Sequence, residues 1–262
     1  MARFCPLFSG SSGNCLYVGT SVAGILVDAG VSARRIEQAL QQREVDPSTI
    51  RAIFVTHEHS DHIAGLRVLQ KRYGMPIYAS AGTVEGLHEA GAFHHEAGCI
   101  PIADTVELDE LSVTPFHTSH DCRESTGFRI ELCDGRTVGI ATDLGIMTQT
   151  VRDHLDGCDL VHIESNHDVR MLENGPYPYV LKRRILSSTG HLSNEACAAE
   201  LPAFIRGGTT RLVLGHLSRE NNIPTLAAAT ASSTLQTCGA TENIDYLLQV
   251  AAPECDRPYT VF

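Results

Sequence analysis

Short apolar runs rich in β-branched residues alternate with stretches of helical periodicity in the first part of the chain. The runs that predict strands cover residues 3–8, 15–18, 25–27, 52–55 and 76–79. Between them, Ile36, Ala39 and Leu40 recur at helical spacing and predict a helix over 32–43. Strands that alternate with helices in this way are typical of α/β folds.

The middle of the chain follows a different pattern, because its apolar runs succeed one another without an intervening helix. These runs cover residues 106–108, 112–116, 127–132 and 137–141. Asp134-Gly135 is a hairpin signal between the last two runs, so we expect an antiparallel block. After residue 143 the alternation returns, with strands predicted over 160–163, 211–214 and 244–250 and helices near 179–186, 194–204 and 225–237.

A short pattern occurs twice. The segments 26–30 and 141–145, which read LVDAG and ATDLG, each place an aspartate and a glycine just after a predicted strand. This repeat fits two similar halves, each a sheet with helices outside, packed sheet against sheet. No linker or low-complexity tract divides the 262 residues, so we expect a single domain over 1–262 with an ample buried core.

The formal net charge of −11 changes this picture little. Binding to nucleic-acid phosphates depends on Lys and Arg, and these residues cluster locally at 34–35, 71–72 and 182–184. Carboxylates that hold cations also count as negative only until the metal binds. The net charge therefore neither implies nor excludes a nucleic acid as substrate.

Nine cysteines are scattered along the chain without a CxxC pair, which argues against a disulfide framework and against a structural zinc finger. Free thiols indicate a reducing compartment. The apolar run at the N-terminus is too short for the core of a signal peptide, and no stretch approaches membrane-spanning length. We therefore expect a cytoplasmic protein without membrane association.

The densest group of titratable residues is the segment 56–62, which reads THEHSDH and directly follows a predicted buried strand. Imidazole and carboxylate are natural ligands of a borderline divalent metal. His57 and His59 are two residues apart, so in an extended backbone their side chains point the same way. Asp61 and His62 follow where the chain turns into a helix. A metal site explains this density better than a solvated polar loop does.

Further candidate ligands lie just after other predicted strands. They are His117, His120, Asp143 and His216. A single histidine in such a place is more often an ordinary polar residue than a ligand. The recurrence at strand ends favours a shared site, because functional residues collect on the loops there.

The HxHxDH motif with downstream His, Asp and His resembles the metallo-β-lactamase superfamily over nearly the whole chain. The resemblance implies a four-layer αββα fold, in which two mixed β-sheets are sandwiched between helices. The ligands it implies are His57, His59 and His120 for one metal ion, Asp61, His62 and His216 for a second, and Asp143 as the bridging carboxylate. It also implies that Asp28 orients these ligands from behind. His117 is the alternative to His120.

The resemblance implies two divalent metal ions. Histidine-rich sites favour zinc, although a mixed His/Asp set also tolerates manganese or iron. Two metal ions about 3.5–4 Å apart can activate a bridging water molecule as hydroxide for attack on a phosphodiester or a carbonyl. Asp61 is a candidate to orient that water or to accept its proton.

Four further segments resemble those of the WalJ (YycJ) group within this superfamily, both in their order along the chain and in their residues. They are residues 9–14, 159–168, 189–194 and 218–222. This resemblance implies a 5′→3′ exonuclease that acts on double-stranded DNA. Its site resembles that of RNase Z, in which a glutamate and a histidine handle protons, and the matching residues are Glu164 and His191. The alternative for these two residues is a structural ion pair.

Candidate substrate-binding groups surround these motifs. The loop 9–14 could offer backbone N–H and hydroxyl groups to a phosphate, or it could simply be a tight turn between two strands. The candidates are Ser9, Ser11, Ser12, Asn14, Asn166 and Ser218. Residues 182–184 either contact a nucleic-acid backbone or form one solvated face of a helix.

Two other functions are consistent with the fold, since a fold does not determine a substrate. One is a small-molecule hydrolase, such as a cyclic phosphodiesterase, a thioesterase or a weak β-lactamase. The other is a metal-binding protein without activity, which would predict a broken ligand set, whereas all seven positions are filled. The sequence leaves the oligomeric state open.

Overall fold

The computed structural model describes residues 1–95 and 98–262. In chain order, the strands are β1 Arg3–Phe8, β2 Cys15–Gly19, β3 Gly24–Val27, β4 Ile50–Phe54, β5 Ile77–Ala79, β6 Cys99–Pro101, β7 Val106–Leu108, β8 Leu111–His117, β9 Thr126–Leu132, β10 Thr137–Ala141, β11 Leu160–Glu164, β12 Arg211–Gly215, β13 Leu247–Val250 and β14 Thr260–Val261. They form two seven-stranded sheets, in the orders β14-β1-β2-β3-β4-β5-β6 and β13-β12-β11-β10-β9-β8-β7. Both sheets are mixed.

Helices cover the outer face of each sheet. They are α1 Ala33–Gln41, α2 Ser60–Ile63, α3 Leu66–Tyr73, α4 Ala81–Glu89, α5 Gln149–Leu155, α6 Val169–Asn174, α7 Tyr179–Ile185, α8 Asn194–Arg206 and α9 Pro224–Thr237, with a 3₁₀ helix at Pro47–Thr49. Among the described residues, no helix is long and apolar enough to cross a membrane.

The apolar core has three layers. Between the sheets, Phe4 and Phe54 of the first sheet pack with Phe128 and Ile140 of the second. A second cluster lies under α1 and α3, and a third lies under α5, α8 and α9. Burial of apolar surface on both faces of each sheet stabilises this arrangement. The predicted four-layer αββα fold is confirmed.

Parallel pairing places several strand ends at the same edge of the two sheets. In the first sheet β3 pairs with β4 in parallel, and in the second sheet β10, β11 and β12 are parallel neighbours. The carboxyl ends of parallel strands meet at one edge, which is where α/β proteins commonly bind ligands. Residues that follow these five strands are therefore brought together.

The predicted antiparallel block is confirmed, since β7, β8, β9 and β10 pair antiparallel in sequence order. The predicted hairpin at Asp134-Gly135 is also present, with Gly135 in left-handed conformation at φ 79°. The predicted helix over 32–43 is shorter, because α1 ends at Gln41.

Two further expectations are wrong in detail. The strand predicted over 244–250 begins only at Leu247, because Asn243 adopts a φ of 65° and residues 241–246 form a hydrogen-bonded turn. The helix that follows the histidine motif is interrupted between α2 and α3. Gly65 lies at the break, where a Cβ atom would come within 2.5 Å of the Val31 carbonyl oxygen.

Candidate metal centre

Three site residues follow strand ends in left-handed backbone conformation. Asp28 follows β3, Asp143 lies just after β10 and His216 follows β12, with φ values of 63°, 56° and 55°. This conformation costs a non-glycine residue about 1 kcal/mol or more. The left-handed backbone ends the strand direction at each residue, so that its side chain points toward the edge where the two sheets meet.

The glycines of the repeated pattern allow a second segment to approach closely. A Cβ atom on Gly30 would lie 1.6 Å from the carbonyl oxygen of Asp61, and one on Gly145 would lie 2.4 Å from that of Ser188. The first contact fixes the histidine loop against β3, and the second fixes the loop that leads to His191. The repeat therefore has a packing reason in both halves.

One group of three imidazoles combines the histidine loop with the loop after β8. His57 Nε2 lies 3.0 Å from His59 Nδ1, and the ring of His120 lies 5.0 Å from that of His57 and 5.1 Å from that of His59. One nitrogen of each ring lies within 4.8 Å of the others. Such a set could hold one metal ion through three nitrogen atoms.

A second group lies beside the first. Its members are Asp61, His62 and His216, and their donor atoms also lie within 4.8 Å of one another. Asp143 lies between the two groups, with carboxylate oxygens 3.4 Å from His62 Nε2, 3.8 Å from His120 Nε2 and 3.3 Å from His216 Nδ1. The structure thus brings together all seven residues that the sequence indicated as ligands.

Asp28 supports the candidate ligands through contacts with Thr56 and with His62. Its carboxylate accepts hydrogen bonds from the Thr56 backbone N–H at 2.8 Å and from the Thr56 hydroxyl, and it lies 2.8 Å from His62 Nδ1. Thr56 in turn lies 2.9 Å from His57 Nδ1. These contacts fix which ring nitrogens of His57 and His62 face the centre. Nothing in the sequence analysis singled out Thr56 for this position.

Glu164 at the end of β11 is completely buried and joins two histidines. Its Oε1 atom lies 2.8 Å from His191 Nδ1 and 2.7 Å from His216 Nδ1, and its Oε2 atom accepts the backbone N–H groups of Leu144 and Leu192. The predicted contact with His191 is present. The contact with His216 was not predicted, and it connects the pair to the candidate ligands.

The donor atoms fit bound divalent cations. Among the described residues, His120 Nε2, His216 Nε2 and Asp143 Oδ2 are buried without a hydrogen-bond partner. Buried polar atoms are otherwise almost always satisfied, and leaving one unpaired costs about 1–3 kcal/mol. Imidazole nitrogen and carboxylate oxygen are the donors expected for zinc, manganese or iron.

The carboxylates give the centre a negative potential. Burial disfavours a charge on His62, but Asp28 and Asp143 outweigh this effect and raise the pKa of His62 to about 9. Burial and the neighbouring histidines instead lower the pKa of His57, which forms no ion pair with a carboxylate among the described residues. The negative potential that favours a proton on His62 also favours a divalent cation beside it.

A cavity of about 360 Å³ opens above the centre. Of the predicted substrate-binding residues, Ser11, Asn166 and Ser218 line it. Ser9 and Asn14 are buried beneath it, where Ser9 accepts the His216 backbone N–H and Asn14 accepts that of Gly10.

Ser12 lies on the surface and accepts a hydrogen bond from Arg219. His117, the alternative ligand, is exposed at the end of β8 and faces a different pocket, whereas His120 lies in the centre. His167 is buried between β11 and α8, and neither ring nitrogen has a hydrogen-bond partner among the described residues.

The cavity wall includes two further residues: Arg184, from the basic cluster 182–184 for which a nucleic-acid contact was one of two alternatives, and Tyr177, which was not predicted. Arg184 of α7 lines the cavity and pairs with both carboxylate oxygens of Asp121, and Tyr177 lies nearby. Leu181, Arg184 and Ile185 share one face of α7 toward the cavity, at helical spacing. With the helix predicted near 179–186, this spacing could have indicated that Arg184 shares a face with Leu181 and Ile185, whereas Lys182 and Arg183 do not. No pattern pointed to Tyr177.

Comparison with known proteins agrees with this geometry. Residues 24–217 match the family described as "Beta-lactamase superfamily domain". The chain is 38% identical over 245 residues to an exodeoxyribonuclease YycJ of Bacillus anthracis, which covers 90% of each chain. It is 34% identical over 262 residues to an exodeoxyribonuclease WalJ of Streptococcus pneumoniae, which covers 98% of this chain and 97% of the relative.

The fold also resembles the metallo-β-lactamase fold protein YhfI of Bacillus subtilis. The TM-score is 0.71 at 17% sequence identity, over 97% of this chain and 98% of the other. A likeness at this identity concerns the fold, whereas the two exodeoxyribonucleases match at family level over most of their length. The chain therefore belongs to the metallo-β-lactamase superfamily and, within it, to the family of the exodeoxyribonucleases YycJ and WalJ.

Proposed function

We propose that the protein is a metal-dependent phosphodiesterase that degrades DNA as a 5′→3′ exonuclease. The observation that carries this proposal is the placement of two groups of metal donors around Asp143, next to the Glu164–His191 pair and below a cavity with Arg184 on its wall. The relatives' names support DNA as the substrate. The polarity is taken from the resemblance to the WalJ group.

We propose zinc as the metal, with His57, His59 and His120 at one ion, Asp61, His62 and His216 at the other, and Asp143 between them. Nitrogen-rich donor sets favour zinc. When bound, such ions would lower the pKa of a water molecule and neutralise charge on the phosphate. Asp61 is 25% exposed and lines the cavity, which suits a role in orienting that water.

His191 is placed to handle the proton of the leaving group. Its Nδ1 donates to the buried carboxylate of Glu164, so transfer to or from a substrate would use Nε2. Burial opposes a charge on His191, yet Glu164 raises its pKa above the ordinary value. A protonated imidazole beside the cavity can donate to the departing oxygen of a phosphodiester.

Arg184 is the candidate contact for a substrate phosphate. Its side chain is 46% exposed and is held over the cavity by the ion pair with Asp121. A guanidinium binds phosphate oxygens through paired N–H groups and can exchange one anionic partner for another. Lys182 and Arg183 lie on the same helix but do not line the cavity.

The nine cysteines are all free, which supports the proposal of a reducing compartment such as the cytoplasm.

The first prediction concerns substrate class. Purified protein with zinc or manganese should degrade 5′-phosphorylated duplex DNA, and a 3′-end label should persist until late in the digestion. A chelator should lower the rate by at least about 100-fold, because the metal ions supply several kcal/mol of charge stabilisation, and added metal should restore it. Single-stranded RNA, a generic phosphodiester, a thioester and a β-lactam complete the panel. Turnover confined to the thioester or the β-lactam would contradict the nuclease proposal.

The second prediction concerns His191. His191→Ala should retain the metal content of the wild type and lower kcat for DNA by about 10²–10⁴-fold, as expected for loss of a general acid. Metal analysis and single-turnover kinetics measure the two effects separately. The matched control is His117→Ala, an exposed histidine outside the cavity. Loss of metal from the His191 variant would assign this residue a structural role instead.

The third prediction concerns Asp28. Asp28→Asn keeps the size of the side chain but removes the charge that orients His62, so metal affinity should fall by about 10–100-fold. Competition with a chelator measures this affinity. The control is Asp104→Asn at an exposed position. Equal affinities in the two variants would refute the positioning role.

The fourth prediction concerns Arg184. Arg184→Ala should raise KM for DNA by about tenfold or more and change kcat little, since a hydrogen bond to a charged group contributes about 1.5–3 kcal/mol. The salt dependence of binding should weaken by about one phosphate contact. Arg183→Ala, one residue away and exposed over Tyr179, is the control. A fall in kcat with unchanged KM would argue against substrate binding.

A further inference from the structure

Two cysteines from opposite ends of the chain are in contact away from the metal centre. Cys5 lies on β1 and Cys255 lies in the segment 251–259, which follows β13. Their sulfur atoms are 3.8 Å apart, although 250 positions separate them in sequence. Both residues are buried, with 0% and 6% of their surface exposed.

The backbone on both sides of this pair is anchored. The Ala251 N–H donates to the Leu214 carbonyl at 2.8 Å, and the Cys255 N–H donates to the Leu7 carbonyl at 3.0 Å. The segment therefore passes from the edge of the second sheet to β1 in the first sheet. Its contacts hold the two thiols next to each other in the folded protein.

A buried guanidinium lies against both cysteines. Arg43 is 5% exposed, and its Nε donates to Cys5 Sγ at 3.1 Å. Its two Nη atoms donate to the carbonyls of Ala39 and Cys255. Within residues 1–95 and 98–262, no carboxylate lies within ion-pair distance of Arg43.

A buried cation without a counter-ion is unfavourable. The groups in contact with Arg43 that can become anions are the two thiols, so a thiolate in this pair would neutralise it. The hydrogen bond from Cys5 and the charge of Arg43 lower the pKa of the Cys255 thiol. The exposed neighbours Glu254 and Asp256 make Cys255 the thiol nearer to solvent.

We propose that Cys5 and Cys255 form a reversible disulfide, with Arg43 as the residue that activates the pair. The sulfur atoms need to approach from 3.8 Å to about 2 Å, and the irregular backbone around Cys255 can supply this small shift. The other seven cysteines have no sulfur partner among the described residues.

The oxidant is a low-molecular-weight disulfide, such as oxidised glutathione. The Cys255 thiolate attacks one sulfur, forms a mixed disulfide and releases one glutathione thiolate. Cys5 then loses its proton and attacks the Cys255 sulfur, which breaks the mixed disulfide and releases the second glutathione. In total, two protein thiols are oxidised, one external disulfide is reduced, and the two protons go to the released thiolates.

The bond would close a very long loop and fix segment 251–259 on β1. A link of this length restricts the unfolded chain strongly, so the oxidised form should unfold at a temperature roughly 5–10 °C higher than the reduced form. Because neither cysteine contacts the metal donors, this shift does not depend on the proposed nuclease activity.

The test incubates the full-length protein with oxidised glutathione and quenches it with an alkylating agent. When the alkylation is carried out on the denatured chain, the oxidised protein should carry seven alkyl groups and the reduced protein nine, and a digest should contain one peptide pair that joins Cys5 to Cys255. Dithiothreitol should reverse both changes. Cys255→Ser should abolish the mass change and the thermal shift, whereas Cys238→Ser, which removes an exposed cysteine, should keep them.

Arg43 is tested by Arg43→Met, which keeps an apolar stem but removes the cation. The rate of disulfide formation should fall by about tenfold if the guanidinium stabilises the thiolate. The proposal would be overturned by a stable mixed disulfide of Cys255 from which Cys5 does not release glutathione. A cross-link between any other cysteines would also overturn it. An unchanged rate in a folded Arg43 variant would overturn the role of Arg43.

Discussion

The site depends on the buried carboxylate of Asp143, because residues from both halves of the chain converge on it. Histidines from four separate segments lie within 3.8 Å of it: His62 from the first half, and His120, His191 and His216 from the second. None of these groups would be stable alone at such depth, because a buried charge needs a partner. The apolar core between the sheets therefore holds a cluster that opposes folding until cations bind, and metal binding should stabilise the fold as well as enable catalysis.

Much of this arrangement could be predicted from the chain alone. The αββα layers followed from strand periodicity and the resemblance. Residue type and position after strands indicated eight candidate ligands, and the resemblance reduced them to seven by favouring His120 over His117. The aspartate–glycine repeat had a physical basis that became clear only with coordinates. Both aspartates adopt positive φ values. Both glycines lack a Cβ atom where another backbone segment packs against them, at Asp61 for Gly30 and at Ser188 for Gly145. Local pattern was informative here because strand ends impose the same requirements in both halves.

What the sequence did not indicate depends on contacts between distant segments. Thr56 supports Asp28 through a hydroxyl whose partner lies 28 positions away, and Arg184 reaches the cavity from a helix with three consecutive basic residues, of which it alone lines the wall. The short helices α4, α5 and α6 were missed because a helix of so few turns shows little periodicity. The contact between Cys5 and Cys255 was beyond prediction, since no spacing rule relates residues at the two ends of a chain.

In the proposed function, the connection from β11 to β12 contains both the substrate contact and the proton-handling pair. It begins at Glu164, continues through α7 with Arg184 and reaches His191, which returns to hydrogen-bond with Glu164. The metal donors come from other loops. Since one fold serves many reactions, differences in substrate among its members should reside in segments such as this one. A change in α7 would alter both the phosphate contact and the approach to His191, so the two properties are expected to vary together.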